Sequence, residues 1–244
     1  MNDHKFAFII CANDDLLLEE SLHYIDHLAV PDGYGTELLT IKDAPCMTGG
    51  YNEAMLASDA KYKIYMHQDV FILNRYILQD LLSVFSGDPQ IGMIGLVGAE
   101  KVAADGVMWH THRTGNIYTC PPLAPYPPLS DYRYSPREGW EYVAMIDGFF
   151  MATCQDLPWN TEKLDGWDYY DVYQSMRFLA EGYRIAVPCQ RHPWCVHDDN
   201  GLLNLFHYDR YRQIFMQDYR QFLGKTWEEV MAQFSRCTKK PSHK

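Results

Sequence analysis

KYKIYMHQDVFIL, from Lys61 to Leu73, is the stretch from which the rest of the chain can be read. Its first half, Tyr62 to Met66, combines aromatic and β-branched residues, which predicts a strand buried on at least one face. The pattern breaks at His67-Gln68-Asp69 and returns with Val70-Phe71-Ile72. Three polar residues at that point suit the carboxyl edge of a parallel sheet, where α/β folds place their ligands. A capped turn, with Asp69 as the cap and His67 bonded to a neighbouring loop, explains the same residues.

Outward from this stretch, short apolar runs alternate with helical patterns. Phe6 to Cys11 reads as a central parallel strand, followed by Asn13-Asp14-Asp15 and a helix to about Ala29, with Leu18, Leu22, Ile25 and Leu28 on one face. Thr36 to Ile41 is the next strand, with Asp43 just past its end, and Thr48-Gly49-Gly50 opens a short helix to about Ser58 that carries Asn52. Asn74 is placed to cap a helix bearing Ile77, Leu78, Leu81, Leu82 and Phe85, and Ile91 to Val97 is a further buried strand. This alternation predicts a doubly wound α/β sheet.

Between Gly98 and Trp140 the alternation fails. Trp109 to His112 reads as a possible strand with His110 and His112 on one face, and Tyr118 to Pro136, rich in proline and tyrosine, as a mobile cover. Order resumes at Tyr142 to Thr153, an apolar strand interrupted by Asp147-Gly148, where a carboxylate needs a ligand or a bulge to justify it. A helix then starts near Asp168-Tyr-Tyr-Asp171 and ends at Gly182, followed by a strand from Arg184 to Val187 and a polar turn, His192 to Gly201. A long helix from Leu202 to Leu223 and a short one begun by the capping box Thr226-Trp-Glu-Glu229 complete the chain.

The chain has 244 residues, 47% of them hydrophobic, enough for one large α/β domain. A net charge of -11, with 21 basic against 32 acidic residues, argues against nucleic acid or an anionic membrane as partner, Lys239, Lys240 and Lys244 being the one basic cluster. No apolar run approaches a membrane span and no leader pattern opens the chain, so the expected location is cytoplasmic. Seven cysteines without a C-x-x-C pair frame neither disulfides nor a zinc site.

Taken in order, His67-Gln-Asp69-Val, Asp147-Gly148, the acidic helix start at Asp171 leading to Arg177 and Gly182, and the late His197 resemble the GT-A glycosyltransferases of the inverting family 2 type. The nearest resemblance is to a bacterial glycosyltransferase-like subgroup with an HQD stretch in place of Asp-x-Asp, and it spans Phe6 to Gly201. It implies a mixed, mainly parallel Rossmann-like sheet flanked by helices over residues 1–201, with a helical extension, 202–244, packed on the same domain. It also implies a nucleotide-sugar donor and a saccharide or lipid-linked acceptor, with homo-oligomerisation open.

The same resemblance implies that Asn13, Asp43 and Asn52 flank the donor nucleotide, joined by Asp147 and Gly148 at the donor site. It makes Asp69 and His197 ligands of a donor-bound Mn²⁺ or Mg²⁺, and Asp171 the catalytic base. His67 stands where an acid is usual. Tyr170 stands where Glu often precedes the base, which leaves the base open between Asp171 and Asp168. The chemistry agrees: a leaving diphosphate needs a hard cation, and an attacking hydroxyl needs a carboxylate. Two other readings use the same residues, a nucleotide-sugar-binding protein without transfer activity and a metal-dependent hydrolase built on Asp69, His110, His112 and His197.

Overall fold

The computed structural model describes residues 1–119, 130–133, 136, 138–199 and 205–238, with 130–133 and 238 described by backbone alone. Strand β1 (Asn2–Ala12) leads into α1 (Asp15–Asp26), and β2 (Gly35–Lys42) into α2 (Met47–Ala57). The stretch around His67 is β3 (Ala60–His67), a two-residue turn and β4 (Val70–Ile72), followed by α3 (Ile77–Gly87). Short strands follow: β5 (Ile91–Gly95), β6 (Val97–Ala99), β7 (Arg113–Thr119), β8 (Ser130–Arg133), β9 (Trp140–Val143), β10 (Met145–Ile146) and β11 (Phe150–Thr153). The remainder is α4 (Tyr170–Ala180), β12 (Arg184–Pro188), β13 (Cys195–His197), α5 (Tyr208–Asp218) and α6 (Trp227–Thr238).

The main sheet has seven strands in the order β2-β1-β3-β11-β5-β12-β9. β1 pairs in parallel with β2 and β3, β12 pairs in parallel with β5, and β11 runs antiparallel to both β3 and β5. Five strands therefore run one way, with β11 and the edge strand β9 reversed. Sequence patterning explains the interior: Phe6 to Ile10 in β1 and Ile64 to Met66 in β3 are almost fully buried, as strands covered on both faces require. Asp14 caps α1 by accepting bonds from the Leu16 and Leu17 amides.

A second sheet, β10-β6-β7-β13-β4 with β8 on β7, stands at the edge where β3 and β5 end. This layer departs from the sequence reading in several places. Ile91 to Val97 is not one strand: it leaves the main sheet at Leu96 and continues as β6 in the second. Tyr142 to Thr153 divides into β9, β10 and β11: the chain leaves the main sheet at Ala144, and Asp147-Gly148 turns it back into β11. Trp109 to His112 is not a strand: Trp109 and His110 end a 3₁₀ turn, Met108–His110, Thr111 and His112 lead into β7, and the polar turn expected from His192 contains β13.

The long helix expected from Leu202 is shorter among the described residues, beginning at Tyr208 and giving way after Asp218 to a 3₁₀ turn, Arg220–Phe222. Residues 200–204, most of the expected cover from Tyr118 to Pro136, and Lys239, Lys240 and Lys244 lie outside the described residues. Tyr211, Phe215, Phe222 and Val230 join the same buried cluster as Ile9, Met93 and Met176. Thr226 and Glu229 form the expected capping box, each side chain facing the other's amide. No helix among the described residues is long and apolar enough to cross a membrane.

Candidate active site

His67 ends β3, Asp69 sits in the turn that follows, and His197 ends β13, which pairs with β4 so that His197 faces Val70. This pairing returns the chain from 130 residues away to the turn after β3. The His197 Nε2 atom lies 3.5 Å from Asp69 Oδ1 and 3.3 Å from His67 Nδ1, and His67 Nδ1 lies 3.8 Å from Asp69 Oδ1. Two imidazole nitrogens and one carboxylate oxygen thus lie within 4.8 Å of one another, the one such group among the described residues.

The electrostatics of the three are set by burial and by one another. Burial, followed by the neighbouring His197, lowers the basicity of His67, and Asp69 only partly offsets this. For His197, burial also works against charge, but the adjacent Asp69 carboxylate, joined by Asp147 and Asp199, outweighs it and raises the value. Burial would raise Asp69, yet the two histidines hold it below the usual carboxylate range. Asp69 Oδ1 is buried and accepts no well-aligned hydrogen bond. An anionic oxygen in that state is costly without a cation, so the donor set could hold a divalent ion.

Asp171 stands in the first turn of α4. Its Oδ2 accepts a bond from the Gly148 amide at 2.9 Å and its Oδ1 one from the Val172 amide at 2.8 Å. Burial, reinforced by the Asp147 carboxylate, nevertheless pushes its pKa up to about 7. Asp168 is also raised, by burial, with His207 opposing. The preceding Tyr169 holds φ at 64°, a left-handed conformation rare for an aromatic residue, and its hydroxyl donates to the Gly106 carbonyl.

Gly148 is required by packing: a Cβ there would meet the Tyr170 Oη at 2.3 Å. That phenol oxygen is in turn hydrogen-bonded to His67 Nε2.

His67, Asp69, His197, Asp147, Asp168 and Asp171 all line one cleft of about 610 Å³, together with Trp109, Trp167 and Tyr208. Asn13, Asp43 and Asn52 do not line it. The Gln68 amide accepts from the Asn13 and Asp14 backbone and donates to Asn13 Oδ1, tying Asn13 to the turn that carries Asp69. Asp43, exposed at the end of β2, has φ 58°. Asn52 uses both ends of its amide on the Trp159 backbone, at 2.9 Å each. His110 bonds to Asp105 on the surface, and neither it nor His112 joins the group of His67, Asp69 and His197, so the four-residue hydrolase constellation is not assembled.

The sequence places His67 where an acid is usual but names only Asp69 and His197 as ligands, and it does not show the link from His67 to Tyr170. The i, i+2 spacing of His67 and Asp69 was the available signal, since alternate residues of an extended chain share a side. Trp109, Trp167 and Tyr208 were also missed, because only the fold brings three aromatic residues from separate segments to one cleft.

The sequence profile of the group described as "Glycosyltransferase like family" matches residues 7–219. No curated protein matches the sequence. Among solved structures, the mannosyltransferase PcManGT from Pyrobaculum calidifontis, in complex with GDP-Man and Mn²⁺, is similar with a TM-score of 0.56 and 14% identity, over 95% of this chain and 69% of that one. S. aureus TarS is similar with a TM-score of 0.54 and 10% identity, over 95% of this chain and 43% of that one. TarS 1–349 in complex with UDP-GlcNAc has a TM-score of 0.55 at 10% identity, over 95% and 71%. At such identities the likeness is one of fold.

Proposed function

The chain belongs to the glycosyltransferase-like family, and on that premise we propose that it transfers a sugar from a nucleotide-sugar donor to an acceptor hydroxyl with inversion at the anomeric carbon. The observation that carries this reading is the shared cleft, which brings the His67, Asp69 and His197 ligand atoms together with a carboxylate, Asp171, whose pKa is about 7. PcManGT holds GDP-Man with Mn²⁺ and TarS holds UDP-GlcNAc on the same fold, which supports a nucleotide sugar as the donor class.

His67, Asp69 and His197 would hold Mn²⁺, or Mg²⁺ less readily. Such an ion, when bound, neutralises the charge that grows on a departing nucleoside diphosphate. Asp171 takes the proton of the acceptor hydroxyl as its oxygen bonds to the anomeric carbon and the bond from that carbon to the diphosphate oxygen breaks. A base with a pKa near the working pH is deprotonated often enough to act and still basic enough to accept. The Gly148 and Val172 amides fix the carboxylate's direction. One displacement on the face opposite the leaving group needs no covalent intermediate.

The acceptor is a saccharide, free or lipid-linked, for which Trp109, Trp167 and Tyr208 offer aromatic faces with polar edges. The test is release of nucleoside diphosphate from a panel of GDP- and UDP-sugars with Mn²⁺ and simple glycoside acceptors. The expected result is turnover with at least one donor that Asp171→Asn removes. Turnover with none, or equal turnover by the variant, contradicts the reading.

A further inference from the structure

His67 has two ring nitrogens, and they face different partners. Nδ1 looks toward Asp69 Oδ1 and His197 Nε2, while Nε2 is hydrogen-bonded to the Tyr170 hydroxyl. A cation among the three ligand atoms needs a lone pair on Nδ1, and neutral imidazole has one there only when its proton is on Nε2. Histidines that bind metals donate their other N–H to an acceptor, which fixes the tautomer and the ring orientation. Here the atom at that place is Tyr170 Oη.

Tyr170 is held more firmly than a surface tyrosine would be. It is 4% exposed, its ring packs edge-on to Tyr51 with centroids 5.8 Å apart and tilted against Trp159 at 6.2 Å, and Gly148 leaves room for its hydroxyl end. The Trp159 backbone is in turn fixed by both ends of the Asn52 amide. A chain of packed groups therefore runs from α2 to the His67 ring, with a single polar atom, Tyr170 Oη, touching it from that side.

We propose that Tyr170 is a positioning residue that holds His67 in its Nε2–H tautomer and so makes His67 the third ligand of the cation site. The inference rests on the cation site of the proposed function, and it gives Tyr170 a task on the ligand side of the cleft although its sequence neighbour Asp171 serves as base.

The test uses Tyr170→Phe, which keeps the ring on Gly148, Tyr51 and Trp159 and removes only the oxygen. Nitrogen-15 NMR of the metal-free protein should show His67 as the Nε2–H tautomer in the native chain and a mixture in the variant. Mn²⁺ affinity, read from the electron paramagnetic resonance signal of free Mn²⁺, should fall about 10- to 100-fold, while the melting curve confirms that the variant folds. An Nδ1–H tautomer in the native chain overturns the proposal whether or not the variant folds. So does a variant whose Mn²⁺ affinity stays within about twofold of native, since a lost positioning contact costs at least tenfold. Failure of sugar transfer with the Mn²⁺ difference intact would instead remove the transferase reading and support the assignment of Tyr170.

Discussion

Asp171 is the residue at which burial and chemistry meet. Its pKa of about 7 makes two predictions of opposite sign. Activity under subsaturating donor and acceptor should rise about tenfold per pH unit below 7 and level off above it, and Asp171→Asn should lower it by about 10²- to 10⁴-fold. Stability should move the other way. The folded value lies above the ordinary carboxylate value of 3.8, so the folded chain binds more protons than the unfolded one between pH 4 and 7. Stability from this group is therefore complete below about pH 4 and is lost as pH rises through about 7. Asp171→Asn should be more stable than the native protein at pH 8, by roughly 1–3 kcal/mol and read as a higher melting temperature, and close to it at pH 4. A variant that melts lower at pH 8 would mean that the carboxylate serves α4 as a cap rather than the reaction as a base. The sequence revealed the acidic helix start but could not assign its pKa, because burial and the nearby Asp147 come from the fold.

At the scale of elements, the strands that position the site were legible where they are long and continuously apolar. β1 and β3 announced themselves because buried parallel strands need apolar side chains on both faces. The second sheet did not, since strands of three residues such as Val97–Ala99 and Cys195–His197 are too short for any period to show. Their pairing nonetheless brings His197 to Asp69.

Helix α2 offers a sharp test of a residue the sequence reading assigned to the donor. Asn52→Ala removes two hydrogen bonds to the Trp159 backbone and should cost about 1–3 kcal/mol, a fall in melting temperature of about 2–12 °C for a chain of this size. The apparent KM for the donor should stay close to native. A large rise in KM with unchanged melting would return Asn52 to the donor site. In the turn after β3, Gln68→Ala should free the Asn13 loop and raise the donor KM with little loss of stability, read by initial rates and a melting curve. An unchanged KM would separate that loop from the nucleotide.

For the whole molecule, a doubly wound α/β sheet followed from the alternation of apolar runs and helical patterns, and its mixed, mainly parallel direction from the family resemblance. The extent of the domain was harder to read, because α5 and α6 mix polar and apolar residues about evenly and few of the apolar ones are fully buried. Tyr211 and Phe215 of α5, Val230 of α6 and Phe222 in the turn between them are buried with the main core. We propose that residues 202–244 fold as part of the same unit, and a chain cut after Gly201 should lose its cooperative melting transition. A sharp transition in that shortened chain would show two independent units. The proposed transfer requires a cation held by His67, Asp69 and His197 that receives the donor's diphosphate. Calorimetric titration of GDP and of UDP, each with Mn²⁺ and with EDTA, tests this in the native chain and in Asp69→Asn. One of the two nucleotides should bind at least about tenfold more tightly with Mn²⁺, a gain of about 1.4 kcal/mol, and the variant should lose that gain. Equal affinity with Mn²⁺ and EDTA for both nucleotides, or a gain that survives in Asp69→Asn, would contradict it.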